Sequence, residues 1–140
     1  MKIVYFFTVS ALLCGCSPHS TEEFQREGEA QMALLVQDLQ AIETREQLTR
    51  ASPLLKKHFE SLVALILEAR RFQEENPDDV GSDALEPGIS SLCLEEELRR
   101  LYQMEGGREV IEKAQQEALI KLDAYERVRL KKREQGKISH

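Results

Sequence analysis

The chain has 140 residues, which is enough for one domain with a modest hydrophobic core. Its formal net charge is −6, so it lacks the basic balance of a non-specific nucleic-acid binder, and that class is set aside. It contains four prolines and no tryptophan, and 31% of its residues are charged. With its many Glu, Leu, Ala, Gln and Arg residues, this composition is typical of helices.

The first residues have the layout of a secretory signal peptide. Lys2 precedes an apolar run over residues 3–13, and the small residue Gly15 stands directly before Cys16. The run of about eleven residues is much shorter than the roughly 20 that a membrane-spanning helix needs. We therefore expect residues 1–15 to be a cleaved leader.

Four residues at the end of this leader carry a family resemblance. Leu13, Cys14, Gly15 and Cys16 resemble the lipobox of bacterial lipoproteins, in which an aliphatic, a tolerant and a small position precede the modified cysteine. The resemblance implies that the thiol of Cys16 receives diacylglycerol, that the leader is removed before it, and that the new N-terminus is acylated. Cys14 is a competing acceptor, but Leu13 is too large for the small position before it. The alternative is an ordinary secreted protein with a cysteine near its cleavage site.

The same resemblance predicts where the protein resides. Two or three acyl chains anchor a protein stably, at about 0.8 kcal/mol per buried CH₂. In enterobacterial lipoproteins, a residue such as Ser17 after the acceptor favours export to the outer membrane. We expect a membrane partner through the lipid, no cofactor besides that covalent lipid, and a body that faces the periplasm or the exterior. The tether, residues 16–21, would hold this body near the bilayer because it extends at most about 17 Å beyond Cys16.

Cysteine usage limits how the body can be stabilised. Cys14 would leave with the leader and Cys16 would carry lipid, so Cys93 alone remains. One thiol cannot form an internal disulfide, and packing must stabilise the fold. Cys93 is either a small buried hydrophobe or a reactive thiol.

The body is predicted to be a helical domain over residues 22–135. Ser20 or Thr21 can cap its first helix, which is expected to continue to about Glu43. Thr44 and Gln47 form a capping-box pattern that opens a short turn of helix. The predicted core face of this first helix consists of Phe24, Met32, Leu35, Val36, Leu39 and Ile42.

The second helix is predicted to begin at Ser52 and Pro53, since proline suits the first turn of a helix. It should end before Asn76, because the residue before Pro77 avoids the helical region. Its apolar residues cover most of its circumference, which predicts that it is the central core element. These residues are Leu55, Phe59, Leu62, Val63, Ala64, Leu65, Ile66, Leu67, Ala69 and Phe72.

Residues 77–90 form one long connection with two prolines, two glycines and four acids. Loops of this length are uncommon and are often functional or mobile. A calcium loop is the alternative, but Val80 and Pro87 occupy positions where ligands would be needed. A solvated loop is the favoured interpretation.

Two further helices complete the prediction. Ser90 or Ser91 is expected to cap the third helix, whose apolar stripe is Leu94, Leu98, Leu101 and Tyr102. A turn at Gly106 and Gly107 should end it, because a continuous helix would put the next stripe out of phase by roughly 120°. The fourth helix is expected from about Arg108 to about Arg133, with Ile111, Ala114, Ala118, Leu122 and Tyr125 facing the core. Together these elements predict an all-α, up-and-down bundle of three long helices plus one or two short ones, and a frayed tail over residues 136–140.

The end of the fourth helix is rich in cations. The simplest explanation is that they oppose the negative end of the helix dipole. The functional alternative is an interaction patch for anionic lipid, an acidic peptide or a cell-wall polymer. Its residues would be Arg127, Arg129, Lys131, Lys132 and Arg133.

No pattern in the sequence indicates catalysis or a metal site, and we expect a protein that is not an enzyme. His58 has only Glu60 or Glu68 near it, and Glu95, Glu96 and Glu97 fan out over a helix surface. We expect a membrane-anchored envelope lipoprotein whose helical body acts in protein–protein interaction or envelope structure, with an envelope protein as partner. The alternatives are a pilotin-like assembly factor for a secretion apparatus and a binder of a small apolar ligand.

Overall fold

The computed structural model describes residues 20–79 and 89–138, which form four helices and no strand. The three long helices are α1 (Thr21–Gln40), α2 (Arg45–Glu75) and α4 (Gly107–Ile138), and the short one is α3 (Ile89–Tyr102). The predicted all-α bundle of three long helices and a short one is confirmed. The leader, Cys16, most of the tether and residues 80–88 of the long connection lie outside the described residues.

Each helix packs against two of the other three. α2 contacts α1 and α4, and α3 likewise contacts α1 and α4, whereas α2 and α3 do not touch. α1 and α2 are antiparallel, since the ring of Phe24 near the start of α1 lies 5.5 Å from that of Phe72 near the end of α2. Consecutive helices alternate in direction along the chain. α2 and α3 lie diagonally opposite each other in the bundle.

α2 and α4 are neighbours that run in the same direction. Lys56 Nζ lies 2.6 Å from Glu117 Oε1, and one turn further along both helices Lys121 Nζ lies 3.4 Å from Glu60 Oε1. Lys56 belongs to α2 and Lys121 to α4, so α2 supplies the cation of the first ion pair and the anion of the second. α1 and α3 form the other parallel pair of the bundle.

The parallel pairing gives the bundle two different ends. We call residues 20–24, 72–79 and 125–138 the N-terminal pole, because α1 starts there while α2 and α4 end there. The other end, the distal pole, comprises residues 40–48 and 100–111. It contains the connection from α1 to α2 and the turn from α3 to α4.

The hydrophobic core is concentrated towards the distal pole. Fully burying such a side chain contributes about 1.5–3 kcal/mol, so this half supplies most of the packing energy. The predicted core faces of the first and fourth helices are confirmed in their main residues, although Met32, Leu122 and Tyr125 are only half-buried. The largest completely buried side chains are Leu35, Leu39, Leu48, Leu55, Leu101 and Ile111.

At the start of α2, the sequence predicted one feature correctly and another incorrectly. The capping box is confirmed, with Gln47 N donating to Thr44 Oγ1 at 3.2 Å and Thr44 N donating to Gln47 Oε1 at 3.0 Å. The separate helix start at Pro53 is wrong, because α2 runs unbroken through this residue. Proline inside a helix costs about 3 kcal/mol or more. Burial of Leu48 before it and Leu55 after it on the same core favours one continuous helix.

Four other expectations need correction. α3 begins at Ile89, so Ser90 and Ser91 lie inside its first turn and do not cap it. Ile66 is 40% exposed, because α2 packs against two helices and the rest of its surface faces solvent. Tyr102, at the last position of α3, is 38% exposed. α4 continues to Ile138, beyond the predicted end near Arg133.

Arg100 on α3 completes the end of α1. Its guanidinium donates to the carbonyl oxygens of Leu39 at 2.8 Å and Ile42 at 2.9 Å, and to Glu97 Oε2 at 2.8 Å. α1 has no basic residue in its own last turn, where the helix dipole is negative. The carbonyl oxygen of Leu39 also accepts from Ile42 N at 3.1 Å, so Arg100 adds a charged donor there and fixes α3 against α1.

The turn between α3 and α4 requires both of its glycines. Gly106 has φ +70°, the left-handed region that glycine adopts without strain. A Cβ added at Gly107 would lie 2.0 Å from the carbonyl oxygen of Leu101, and backbone cannot yield there as a flexible side chain could. The predicted turn is confirmed, and it brings the stripes of α3 and α4 onto one core.

We expect Gly107→Ala to lower the free energy of unfolding by about 2 kcal/mol, because the methyl group overlaps backbone beside buried Leu101. Gly136→Ala is the matched control, since nothing lies within 4 Å of a Cβ there. The control should leave stability unchanged or raise it by up to about 1 kcal/mol through helix propensity. Urea denaturation of both variants measures the difference, and equal effects would contradict the close contact at Gly107.

Candidate functional site

The predicted basic residues of α4 divide into two groups in the structure. Arg127 faces Asp123 on its own helix at 3.8 Å. Arg129 lies between Glu74 of α2 at 3.8 Å and Glu126 at 3.7 Å, and is half-buried. These two arginines are therefore engaged within the bundle.

Lys131, Lys132 and Arg133 form the second group, which we call the tip cations. All three are exposed, and none forms an ion pair with a residue that the structure describes. Exposed ion pairs contribute little to stability, and these cations lack even such pairs. Their charge is available to something outside the described bundle.

The tip cations lie on a part of α4 that extends past α2. Arg129 is paired with Glu74, the penultimate residue of α2, and every residue from 130 to 136 is exposed. At 1.5 Å per residue, residues 130–138 project roughly 13 Å beyond this point. The end of α4 is thus a free helical extension of the N-terminal pole.

Polar contacts hold α4 to α2 just before this extension. Arg70 forms an ion pair with Glu126, and the hydroxyl of Tyr125 donates to Glu74 Oε1 at 3.3 Å. Burial raises the pKa of Tyr125 above its ordinary value, and the nearby carboxylate of Glu74 raises it further. The phenol therefore remains protonated and continues to donate at neutral pH.

The start of α1 is fixed at the same pole. Thr21 N donates to Asp79 Oδ2 at 3.3 Å, and the hydroxyl of Thr21 donates to the carbonyl oxygen of Asp79 at 3.3 Å. Ser20 Oγ accepts from Glu23 N at 3.2 Å and so caps α1. Residue 20 is therefore held beside the end of α2, on the pole from which the tip cations project. The proposed acceptor, Cys16, lies outside the described residues.

Polar residues elsewhere are engaged in structural contacts. His58 Nε2 lies 2.7 Å from Asp38 Oδ2 on α1, so the expected pairing with Glu60 or Glu68 is wrong. Sequence spacing could not reveal this partner, because it comes from another helix. Glu95 and Glu97 pair with arginines on α3 itself. Within residues 20–79 and 89–138, no group of three or more His, Cys, Asp or Glu side chains could hold a metal ion.

Two surface depressions lined by residues that the structure describes are open to solvent. One follows the outer face of α4, where Leu119 and Ile120 are surrounded mainly by charged and amide side chains. The other lies on the α2–α4 seam beside Arg70 and Arg129. Neither has the aliphatic lining that a small apolar ligand would require. Cys93 is a free thiol of intermediate burial, so it lies between a fully buried hydrophobe and an accessible thiol.

No protein-family model, curated protein or solved structure matches the chain. In the part of the chain that the structure describes, no helix combines the length and apolarity that crossing a membrane requires.

The raised pKa of Tyr125 leads to a prediction for alkaline pH. In a chain that carries Tyr5→Phe and Tyr102→Phe, Tyr125 is the remaining tyrosine, and its phenolate absorbance should appear above the ordinary pKa of 10.0. Because the folded pKa is the higher one, its contribution to stability is complete below pH 10 and is lost as pH rises through the folded value. Adding Glu74→Gln should bring the pKa closer to 10, since the carboxylate is removed while burial remains. A titration midpoint at or below 10 before that change would contradict the contact.

Proposed function

We propose that the protein is a bacterial envelope lipoprotein, anchored to a membrane through lipid on Cys16. The lipobox pattern supports the anchor, because an aliphatic residue, a tolerant position and Gly15 precede that cysteine after an apolar leader. The observation that carries the proposal furthest is the short distance from this cysteine to the body. Thr21 is hydrogen-bonded to Asp79, so at most about 17 Å of extended chain separates Cys16 from the packed bundle.

The body is proposed to act without catalysis, in protein–protein interaction or envelope structure. Many polar side chains in the described residues cap helices or join them, such as Arg100 with Leu39 and His58 with Asp38. Large apolar side chains remain exposed on the flanks of α1, α2 and α4, and apolar side chains are a usual component of binding surfaces. They include Leu34, Leu54, Leu119 and Ile120.

Cys16→Ser tests the anchor. The unchanged chain should yield a mature N-terminus at Cys16 whose mass includes acyl groups, and the protein should sediment with membranes. The variant cannot form the thioether, so it should keep its leader uncleaved or lose the lipid mass. Cys14→Ser is the matched control and should be processed normally. Acyl groups that remain on the Cys16→Ser protein, or a wild-type N-terminus without lipid, would overturn the proposal.

Site-specific photocross-linking in intact cells tests the interaction role. Cross-linkers at Leu34, Leu54, Leu119 and Ile120 should capture one defined envelope protein from at least one position. Exposed polar positions Gln40 and Gln116 are the controls and should capture it less. No envelope protein at any of the apolar positions would end the interaction proposal, whereas capture of a secretin subunit would identify the pilotin-like alternative.

A further inference from the structure

We propose that the tip cations Lys131, Lys132 and Arg133 contact the anionic phospholipid headgroups of the membrane that holds Cys16. This inference rests on the proposed function, because the lipid on Cys16 sets which end of the bundle faces the bilayer. It adds a second membrane contact, made by protein side chains, and it gives the body a fixed orientation. Three observations about the N-terminal pole support this contact.

The first observation is position. The start of α1 and the projecting end of α4 lie at one pole, as the Thr21–Asp79 hydrogen bonds and the Arg129–Glu74 ion pair show. The tether after Cys16 allows at most about 17 Å, which is the largest separation from the bilayer that a fully extended chain permits. The tip cations lie beyond Arg129 by roughly 3–6 Å along the axis of α4. They are therefore on the membrane side of the contacts between α2 and α4, and a tether that is less than fully extended brings them towards the Debye length of about 8 Å at physiological salt.

The second observation is charge. The tip cations have no ion pairs with described residues, whereas Arg127 and Arg129 are engaged by Asp123 and Glu74. Glu134 is the acid among residues 130–138. Besides Glu126, the other acids of the N-terminal pole belong to the start of α1, to the end of α2 and to the residues that follow it, so the tip cations are concentrated on α4. These acids are Glu22, Glu23, Glu74, Glu75, Asp78 and Asp79. Each Lys or Arg held close to an anionic leaflet strengthens membrane binding by about fivefold.

The third observation is the chemistry of the segment. Among the cations α4 carries Val128 and Leu130, both exposed, and beyond Arg129 it packs against no other helix in the described part of the chain. A basic helical segment with isolated apolar side chains suits the boundary between headgroups and acyl chains. An acidic peptide could also bind cations, but the tether places lipid beside them without requiring another component. A lipid surface is therefore the occupant that the geometry favours.

Energy transfer on the intact lipidated chain tests the orientation. Leu130→Cys and Gln103→Cys, each in a Cys93→Ala background, place a fluorophore at the N-terminal pole and in the turn at the distal pole. Each mature protein is reconstituted into vesicles of phosphatidylcholine, with or without about 30% phosphatidylglycerol, that contain an acceptor lipid. With the anionic lipid, transfer from position 130 should exceed transfer from position 103 by at least about twofold. Salt at about 0.5 M should remove at least half of this excess.

Charge variants separate the tip cations from charge in general. Lys131→Gln, Lys132→Gln and Arg133→Gln together should halve the excess transfer in anionic vesicles while leaving the helical circular dichroism unchanged. The control removes three cations that are equally exposed, have no ion pair with a described residue and lie elsewhere on the bundle. The control substitutions are Arg50→Gln, Lys57→Gln and Lys113→Gln.

The outcomes distinguish this inference from the proposal on which it rests. Mass spectrometry of the same samples reports the lipid on Cys16, and its absence would overturn both. Lipid on Cys16 together with equal transfer from positions 130 and 103 would overturn the orientation alone. Transfer that does not depend on anionic lipid, or that responds equally to both triple variants, would also overturn it. The orientation would also be overturned if position 130 approached the membrane only after an acidic envelope protein was added.

Discussion

The parallel pairing of α2 with α4 is the constraint on which the rest of the bundle depends. Because these neighbours run the same way, the helix between them in sequence, α3, must run the opposite way and cannot lie between them in space. α3 packs instead against α1 and α4, diagonally across from α2. α2 ends at Glu75 and α3 begins at Ile89 on the opposite side of this diagonal, so a tight turn could not join them. The long connection noted in the sequence follows from this topology.

The contacts between α2 and α4 change in character along the bundle. Towards the distal pole, both helices contribute to the buried core through Leu55 and Ile111, with the Lys56–Glu117 ion pair at the surface beside it. Towards the N-terminal pole, they are joined by Arg70 with Glu126 and by Tyr125 with Glu74. Partly exposed ion pairs contribute about 0–1 kcal/mol each, which is less than a buried leucine does. Stability therefore comes mainly from the distal half, which leaves the N-terminal pole able to carry unpaired charge.

Local signals in the sequence predicted the elements and the turn that joins the last two helices. The Thr44–Gln47 capping box and the Gly106–Gly107 turn were identifiable because each depends on residues close together in the chain. The mistake at Pro53 has a different origin. Proline usually marks a boundary, but here buried residues on both sides of it outweigh that preference. Whether a helix continues through a proline depends on tertiary packing, which the sequence around that proline does not reveal.

For the candidate site, the sequence predicted the five basic residues towards the end of α4. It did not predict which of them form ion pairs or at which pole of the bundle they lie. Arg127, Arg129 and the tip cations are basic residues of one helical segment, so composition does not separate them. Arg127 pairs with Asp123 on α4 itself, and Glu74 of α2 pairs with Arg129. α2 stops one residue after Glu74, so the tip cations have no neighbouring helix in the described part of the chain. Similarly, Arg100 could not be assigned to the carbonyl of Leu39 without knowing that α1 and α3 are parallel neighbours. Both results depend on helix pairing, which composition and periodicity do not determine.

An anchor at one pole also restricts where a protein partner can bind. If Cys16 and the tip cations hold the N-terminal pole against lipid, the surfaces left open are the flanks and the distal pole. α4 is about 48 Å long, so its start lies much farther from the bilayer than the tether alone could place it. The exposed pair Leu119 and Ile120 lies on the flank of α4, between its two ends. The bundle would then act as a rigid spacer, presenting this flank to an envelope protein at a height set by helix length.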